Sequence, residues 1–326
     1  MTLRGWIRIP CSAWAPLSVV LLSGCGDETS AAFEIVSPGP GRIAFTSARG
    51  GCPEIYAMNA DGSGVVELIN GNDHYCSADA NGAAWSPDGT KIAFYYSPNV
   101  SIAAEDIYVM NVDGSRVAEL IRPTGTFFGR ADPAWSRDGT RIAAAEKVGR
   151  CDNPRTCRFI FYHRIAVMNA DGSGSVVVTA GYGRGEIDSD REPAWSPDGT
   201  RIAFRRSGEI FVMSADGAGV TNLTNNNSAY DASPAWSPDG TKIAFRSNRT
   251  GVFDLYVMNA DGTGVTALTA DSATEGRPAW SPDGTTIAFA SDRDGNYEIY
   301  AMNADGSGVV RLTNNPAFDG MPAWTP

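Results

Sequence analysis

The feature that most constrains this chain is the string PAWSPDGTKIAF at residues 234–245, of which near copies recur along the sequence. Ala235-Trp236-Ser237 alternates small and large side chains as a pleated strand does, and Ile243-Ala244-Phe245 is a second apolar run of strand composition. Between them, Ser237-Pro238-Asp239-Gly240 places Ser first, Pro with its fixed φ second, and Gly where a positive φ is needed. That is the order a type I turn favours. The string predicts a β-hairpin, and its repetition predicts a fold made of many hairpins.

Trp follows Ala at Trp85, Trp135, Trp195, Trp236, Trp280 and Trp324, with final spacings of 41, 44 and 44 residues. The Ile-Ala-Phe strand starts at Ile43, Ile92, Ile142, Ile202, Ile243 and Ile287. Each time a third strand and an Asp-Gly turn follow, as in LYVMNADGTGVTALT from Leu255 to Thr269. Four short strands per period of roughly 40–45 residues is the pattern of a β-propeller blade.

The recurrent PAWSPDGT.IAF followed by IYVMNADGSG resembles the WD40-like repeat of the TolB family, the PD40 repeat, over about residues 41–326. The resemblance implies a propeller with protein partners in the bacterial envelope, peptidoglycan-associated lipoproteins among them. Blades that follow a short tether leave no room for the separate N-terminal α/β domain of TolB itself, so membership of the Tol system is not expected.

The offset between copies sets the closure. The first Ile-Ala-Phe, at Ile43, has no PAW strand before it, and the last PAW, at Trp324, has no Ile-Ala-Phe after it. The fold class expected is all-β, a six-bladed β-propeller of four-stranded antiparallel blades closed by the C-terminal strand completing the first blade. The expected blades are 41–70 plus 321–326, 83–122, 133–180, 193–225, 234–270 and 278–315. A blade cannot bury both faces alone, so the Trp ladder is expected to be core between blades and not a ligand platform.

Residues 1–24 read as a signal peptide and 25–40 as a tether. Arg4 and Arg8 precede an apolar stretch, Trp14 to Leu22, too short to span a membrane. Leu22-Ser23-Gly24-Cys25 resembles the bacterial lipobox, which implies cleavage before Cys25 and diacylglycerol on its thiol; an ordinary secretory signal is the alternative, and Pro10, Cys11 and Pro16 are atypical of the apolar region. The expectation is an exported, lipid-anchored envelope protein, periplasmic or on the cell surface.

The formal net charge is −11, and loss of residues 1–24, with two arginines and no acid, leaves 24 basic against 37 acidic groups, or −13. An acidic surface argues against nucleic acid and against electrostatic attachment to anionic lipid, leaving the acyl anchor as the membrane contact and a monomer as the expected state. Of the cysteines outside the signal and lipid sites, Cys52 with Cys76 and Cys151 with Cys157 are expected to form disulfides, since the loops holding Cys52 and Cys76 share one face of a propeller. A four-thiolate zinc site is the alternative.

Function is expected on the face where the copies diverge, which includes residues 95–105, the insertion 146–163 with Arg150, Arg155, Arg158 and His163, and the acidic run from Glu186 to Glu192. Five residues before each Trp stand Ala80, Arg130, Asp190, Asp231, Glu275 and Asp319. Placed at the channel mouth, the four carboxylates would make half of it acidic, able to hold a cation such as calcium or a basic segment of a partner. The competing structural reading has them cap backbone amides. Arg49, Arg249 and Arg293 recur in Ser-x-Arg-x-Gly ahead of Glu54, Asp254 and Glu298, and are expected to pair with those acids as partly exposed ion pairs. NADGSG at Asn59–Gly64 opens like a calcium loop but lacks the later Glu, so it reads as a turn.

No Gly-x-Ser-x-Gly elbow is present, and His74 and His163 are read as loop residues of different blades, unable to form an imidazole metal cluster. The sequence predicts a non-catalytic binding scaffold without cofactor, whose partners are envelope proteins or peptides. The alternative is a carbohydrate- or small-ligand-active protein at the acidic mouth, with paired carboxylates as an acid-only hydrolase its catalytic form.

Overall fold

Alternation of large and small side chains in Ile-Ala-Phe decides how the sheets stack. In the computed structural model, which describes residues 41–69, 81–96, 106–120, 127–151, 159–180, 189–226 and 228–325, Ile92 and Phe94 of the second blade pack on Ala44 and Ala57 of the first. On the opposite face of the same strand, Ala93 meets Ile142 of the third blade. Large residues thus point to the preceding blade and Ala accepts the following one, a consequence of the period of two along a strand. The same division holds at the other four interfaces, including the one between the sixth blade and the first, where Ile43 and Phe45 meet Ala288 and Ala290.

Each of the six sheets has four antiparallel strands. The first blade holds β1 (Arg42–Ser47), β2 (Glu54–Asn59) and β3 (Val66–Glu67); the second holds β4 (Asn81–Trp85), β5 (Lys91–Tyr96), β6 (Asp106–Asn111) and β7 (Ala118–Glu119). The third runs β8 (Phe127–Trp135), β9 (Arg141–Cys151), β10 (Phe159–Asn169) and β11 (Val176–Val177). The fourth runs β12 (Asp190–Trp195), β13 (Arg201–Arg206), β14 (Glu209–Ser214) and β15 (Thr221–Asn222). The fifth follows with β16 (Asp231–Trp236), β17 (Lys242–Ser247), β18 (Asp254–Asn259) and β19 (Thr266–Ala267). The sixth has β20 (Ala279–Trp280), β21 (Thr286–Ser291), β22 (Glu298–Asn303) and β23 (Val310–Arg311), and β24 (Asp319–Trp324) returns to the first.

β24 pairs antiparallel with β1, Trp324 opposite Ile43, so the sheet order of the first blade is β24-β1-β2-β3. Thr325 N also donates to Arg42 O, and Arg42 N donates to Thr325 Oγ1. The ring is therefore closed by its last strand, as the offset of the repeats requires. The six inner strands β4, β8, β12, β16, β20 and β24 contact one another in sequence around the axis.

The insertion 146–163, expected to be a loop, is largely strand. β9 and β10 remain paired from Arg141↔Asn169 out to Cys151↔Phe159, each 11 residues long against six in the corresponding strands of other blades. His163 consequently sits in β10 and is 4 % exposed, because the alternation of Tyr162, His163 and Arg164 continues the pleat beyond the usual strand end.

The Ser-Pro-Asp-Gly turns behave as the sequence predicts. In each, the Ser hydroxyl donates to the Asp carboxylate two residues on, as Ser237 Oγ does to Asp239 Oδ1 at 2.6 Å, and the Thr amide donates to the same oxygen. Gly240 lies at φ 71, where a Cβ would be strained. Asn59-Gly64 is likewise a hydrogen-bonded turn, Asp61 accepting from both the amide and the hydroxyl of Ser63.

Candidate functional site

The carboxylates expected at the channel mouth are not there. Asp190, Asp231, Glu275 and Asp319 are each 0 % exposed, held inside their own blades against arginine. Arg249 Nη2 lies 3.1 Å from Asp231, Arg293 Nη2 is 2.8 Å from Glu275, and Arg49 Nη2 is 2.6 Å from Asp319. In the fourth blade Arg206 grips Asp190 with two bonds of 2.5 and 2.8 Å. The third blade reverses the charges: Arg130, 7 % exposed, donates to Glu146 at 2.7 Å, and Arg164 takes the other oxygen.

This overturns two expectations together. The acids face arginine and do not form an acidic half-mouth; Arg249 and Arg293 bind them in place of the acids that follow in sequence, and Arg49 binds Asp319. The reason is local geometry. Asp231 lies opposite Ser247, Arg249 Nε donates to Ser247 Oγ, and the guanidinium folds back over Phe245 and Tyr256 onto Asp231. The later acids are already engaged: Asp254 by the hydroxyls of Thr250 and Thr269, Glu298 by Thr313, Arg311 and the amide of Asn315. Ala80 of the second blade lies outside the described residues.

The channel wall on this face is made three residues before each Trp, where a bulge aims one side chain inward. Pairing shifts by one between Ala131 and Ala134, Arg191 and Ala194, and Ala232 and Ala235. The extra residue takes a left-handed conformation at Asp132 (φ 52), Glu192 (φ 56), Ser233 (φ 55) and Met321 (φ 54), with Gly82 at the same place in the second blade. Such a backbone costs on the order of 1–3 kcal/mol at a residue other than Gly and collects at functional positions. Asp132, Glu192, Ser233 and Arg277, each followed by Pro, enclose a cavity of about 80 Å³.

These side chains are bonded across the axis. Arg277 Nη2 of the sixth blade reaches Asp132 Oδ1 of the third at 3.1 Å. Asp132 Oδ2 accepts the amide of Glu192, Glu192 Oε2 accepts the amide of Ser233 at 2.6 Å, and Glu192 Oε1 lies 3.4 Å from Arg205 Nε. Burial alone would raise both carboxyls, but Arg277 and Arg191 around Asp132, and Arg205 and Arg277 around Glu192, hold them below their ordinary values. His163 stands beside the same cluster, its pKa pushed down to about 3 by burial and by Arg191, and its Nδ1 makes no hydrogen bond among the described residues.

Aromatic rings accompany the charges. Tyr230 packs edge-on against Phe253, and Tyr297 against Phe318, with Tyr230 and Phe318 more than a third exposed. Arg205 lies 5.4 Å from the Tyr230 ring and Arg246 4.8 Å from that of Phe253. No aligned signal in a single blade marks this group; the Arg that follows Ile-Ala-Phe in two copies, at Arg205 and Arg246, is its trace in the sequence.

At the other end, the six Trp side chains and neighbouring Pro residues line a second cavity of about 210 Å³. The Trp ladder is core, as expected of Trp85, Trp195 and Trp236, but it is also wall. The indole of each bonded Trp donates to the Ala carbonyl of the preceding blade's Ala-Trp pair: Trp85 to Ala323, Trp195 to Ala134, Trp236 to Ala194, Trp280 to Ala235.

Cys25, Cys76 and Cys157 lie outside the described residues, with Arg155, Arg158 and His74. No cluster of three or more His, Cys, Asp or Glu placed to hold a metal occurs among the described residues.

Residues 186–276 match the family model for the TolB β-propeller domain, PD40. A TolB homologue of Chlorobium luteolum is 31 % identical over 162 residues, which is 50 % of this chain and 30 % of that relative. The fold is that of TolB from Acinetobacter baumannii, with a TM-score of 0.70 and 21 % identity over 89 % of this chain and 68 % of that one. TolB of Agrobacterium tumefaciens superposes with a TM-score of 0.63 at 21 % identity, covering 86 % of this chain and 91 % of its own. Fold, repeat and part of the sequence are thus TolB-like.

Proposed function

We propose that this TolB-like propeller is a non-catalytic binding scaffold of the bacterial cell envelope, exported, anchored through lipid on Cys25, and engaged by protein partners as a monomer on the face that holds Tyr230, Phe253 and Asp132. The observation that supports it best is the contrast between a uniform set of PD40 turns at one end of the ring and a non-repeated set of aromatic and charged side chains at the other, on a chain whose likeness to TolB spans both sequence and fold. Partially exposed aromatics beside buried arginine are the residue types that dominate binding energy at protein interfaces. Catalysis by paired carboxylates has no support at Asp190, Asp231, Glu275 or Asp319, all buried against arginine. The proposed Cys52–Cys76 and Cys151–Cys157 disulfides suit an oxidising compartment.

The test is capture from detergent-solubilised envelope with the intact lipoprotein and with Tyr230→Ala/Phe253→Ala. Deleting residues 146–163 is unsuitable, since 146–151 and 159–163 belong to the paired arms of β9 and β10. A partner held by the native protein and lost with the double variant is expected; equal recovery by both overturns the assignment of the binding face. Failure of Cys25→Ser to release the protein from membranes would separately remove the anchor.

A further inference from the structure

Among the described residues the charge at the channel mouth does not balance. Two carboxylates, Asp132 and Glu192, face three guanidiniums, Arg205, Arg246 and Arg277. Asp190, Asp231 and Glu275 do not change this count, because each has its own arginine within the blade. Every carboxylate oxygen of the pair is engaged, by Arg277, by the amides of Glu192 and Ser233, or by Arg205. Arginine donors are left over. Arg205 is 7 % exposed, and its Nε, though within ion-pair reach of Glu192, makes no hydrogen bond among the described residues. Arg246 has no carboxylate within ion-pair distance among the described residues, and its buried Nε also lacks a hydrogen bond. A buried guanidinium donor without an acceptor is costly, and planar N–H forks match oxyanions.

We infer that the channel mouth binds a small oxyanion, a carboxylate or phosphate group seated between Arg205, Arg246 and Arg277 under the rings of Tyr230 and Phe253. Arg277 lines the cavity of about 80 Å³ together with Asp132, Glu192 and Ser233, and Arg205 reaches its wall through Glu192; the space admits such a group, since each bound water occupies only ~10–15 Å³ on the same measure. In a chain of formal net charge −11 the cationic pocket is a local reversal, and low-dielectric walls concentrate its field on an entering anion. The ring faces beside Arg205 and Arg246 offer a stacking surface for a flat or cyclic body attached to the anionic group. The inference is the opposite of the cation expected from sequence, and it stands independently of whether a protein partner covers this face.

The experiment is calorimetric titration and thermal melting of the full chain with sodium phosphate, with sodium galacturonate and with calcium chloride, each against sodium chloride of matched ionic strength. Saturable binding of one phosphate or one galacturonate per chain, with a rise in melting temperature and none from calcium, is expected; which of the two binds separates a tetrahedral from a planar oxyanion. Arg246→Gln should weaken that binding about tenfold or more, the loss of roughly 1.4 kcal/mol. Should Arg246→Gln alter the unliganded melt, Arg246→Lys serves instead, keeping charge but losing the fork, and should bind measurably more weakly. Absence of saturable binding by both anions, or undiminished binding by these variants, overturns the inference.

Discussion

The two ends of the channel are walled by the same six inner strands, yet they are built on different principles. At the Trp end one solution is repeated: a turn whose Ser and Asp satisfy each other, and an indole reaching the previous blade's carbonyl. At the mouth no two blades agree, and Asp132, Glu192, Ser233 and Arg277 occupy equivalent places with unlike chemistry. Repetition marks what the fold needs from every blade. Divergence at a strained, inward-facing position marks what a partner or ligand requires of one molecule.

The comparison breaks most visibly if charge at the mouth end is removed. Glu146 is 2 % exposed and serves both Arg130 and Arg164, so Glu146→Ala should lower unfolding stability by about 3–5 kcal/mol in denaturant titration. A loss near that of an exposed pair, below about 1 kcal/mol, would show the ion pairs buried within the blades to be as dispensable as surface ones.

Titration should separate the ends by sign. Burial raises Glu275 to about 7, outweighing Arg293, and raises Asp106 to about 7, whereas in the turns Ser136 and the Thr140 amide lower Asp138 to about 2. A carboxyl raised on folding stabilises the native state while protonated in both states, so the contribution is lost as pH rises from about 4.5 to about 7 for Glu275 and from about 3.8 to about 7 for Asp106. Asp138 behaves oppositely, and its contribution is lost as pH falls from about 3.8 toward 2. Stability measured against pH for the native chain and for Glu275→Gln should differ in slope within the upper window and coincide below it; parallel curves throughout would refute the assignment.

The smallest effect lies within the Trp end. Trp236 Nε1 donates to Ala194 O, whereas Trp324 Nε1 makes no hydrogen bond among the described residues. Trp236→Phe should therefore cost about 1 kcal/mol more than Trp324→Phe in paired melts, the worth of one hydrogen bond.

Fold and closure were legible because the repeat shows its own phase: Ile43 without a PAW and Trp324 without an Ile-Ala-Phe fix where the ring joins. The mouth was misread because counting from Trp assumes an unbroken pleat. A bulge at Asp132, Glu192 and Ser233 inserts one residue, so the inward position falls three before Trp and the residue five before it turns into the blade. A signal for the true partners was nevertheless present. Acids at Asp231, Glu275 and Asp319 accompany Ser-x-Arg in the partner strand, Asp190 accompanies Arg206, and Arg130 accompanies Glu146; comparing blades with one another shows the charge exchange. The convergence of Arg205, Arg246 and Arg277 left only the Arg shared by two Ile-Ala-Phe copies as a trace, because it joins different blades.

The pairing of β24 with β1 spans most of the polypeptide, Arg42 bonding Thr325 across 283 positions. The blade made earliest is thus the one finished latest, and until then its inner edge is an open template for any other extended segment. High contact order of this kind slows folding. For the exported scaffold proposed above it means that five complete sectors and one unfinished one await the arrival of the tail, a period in which escorting factors, and not native contacts, keep that edge from foreign strands.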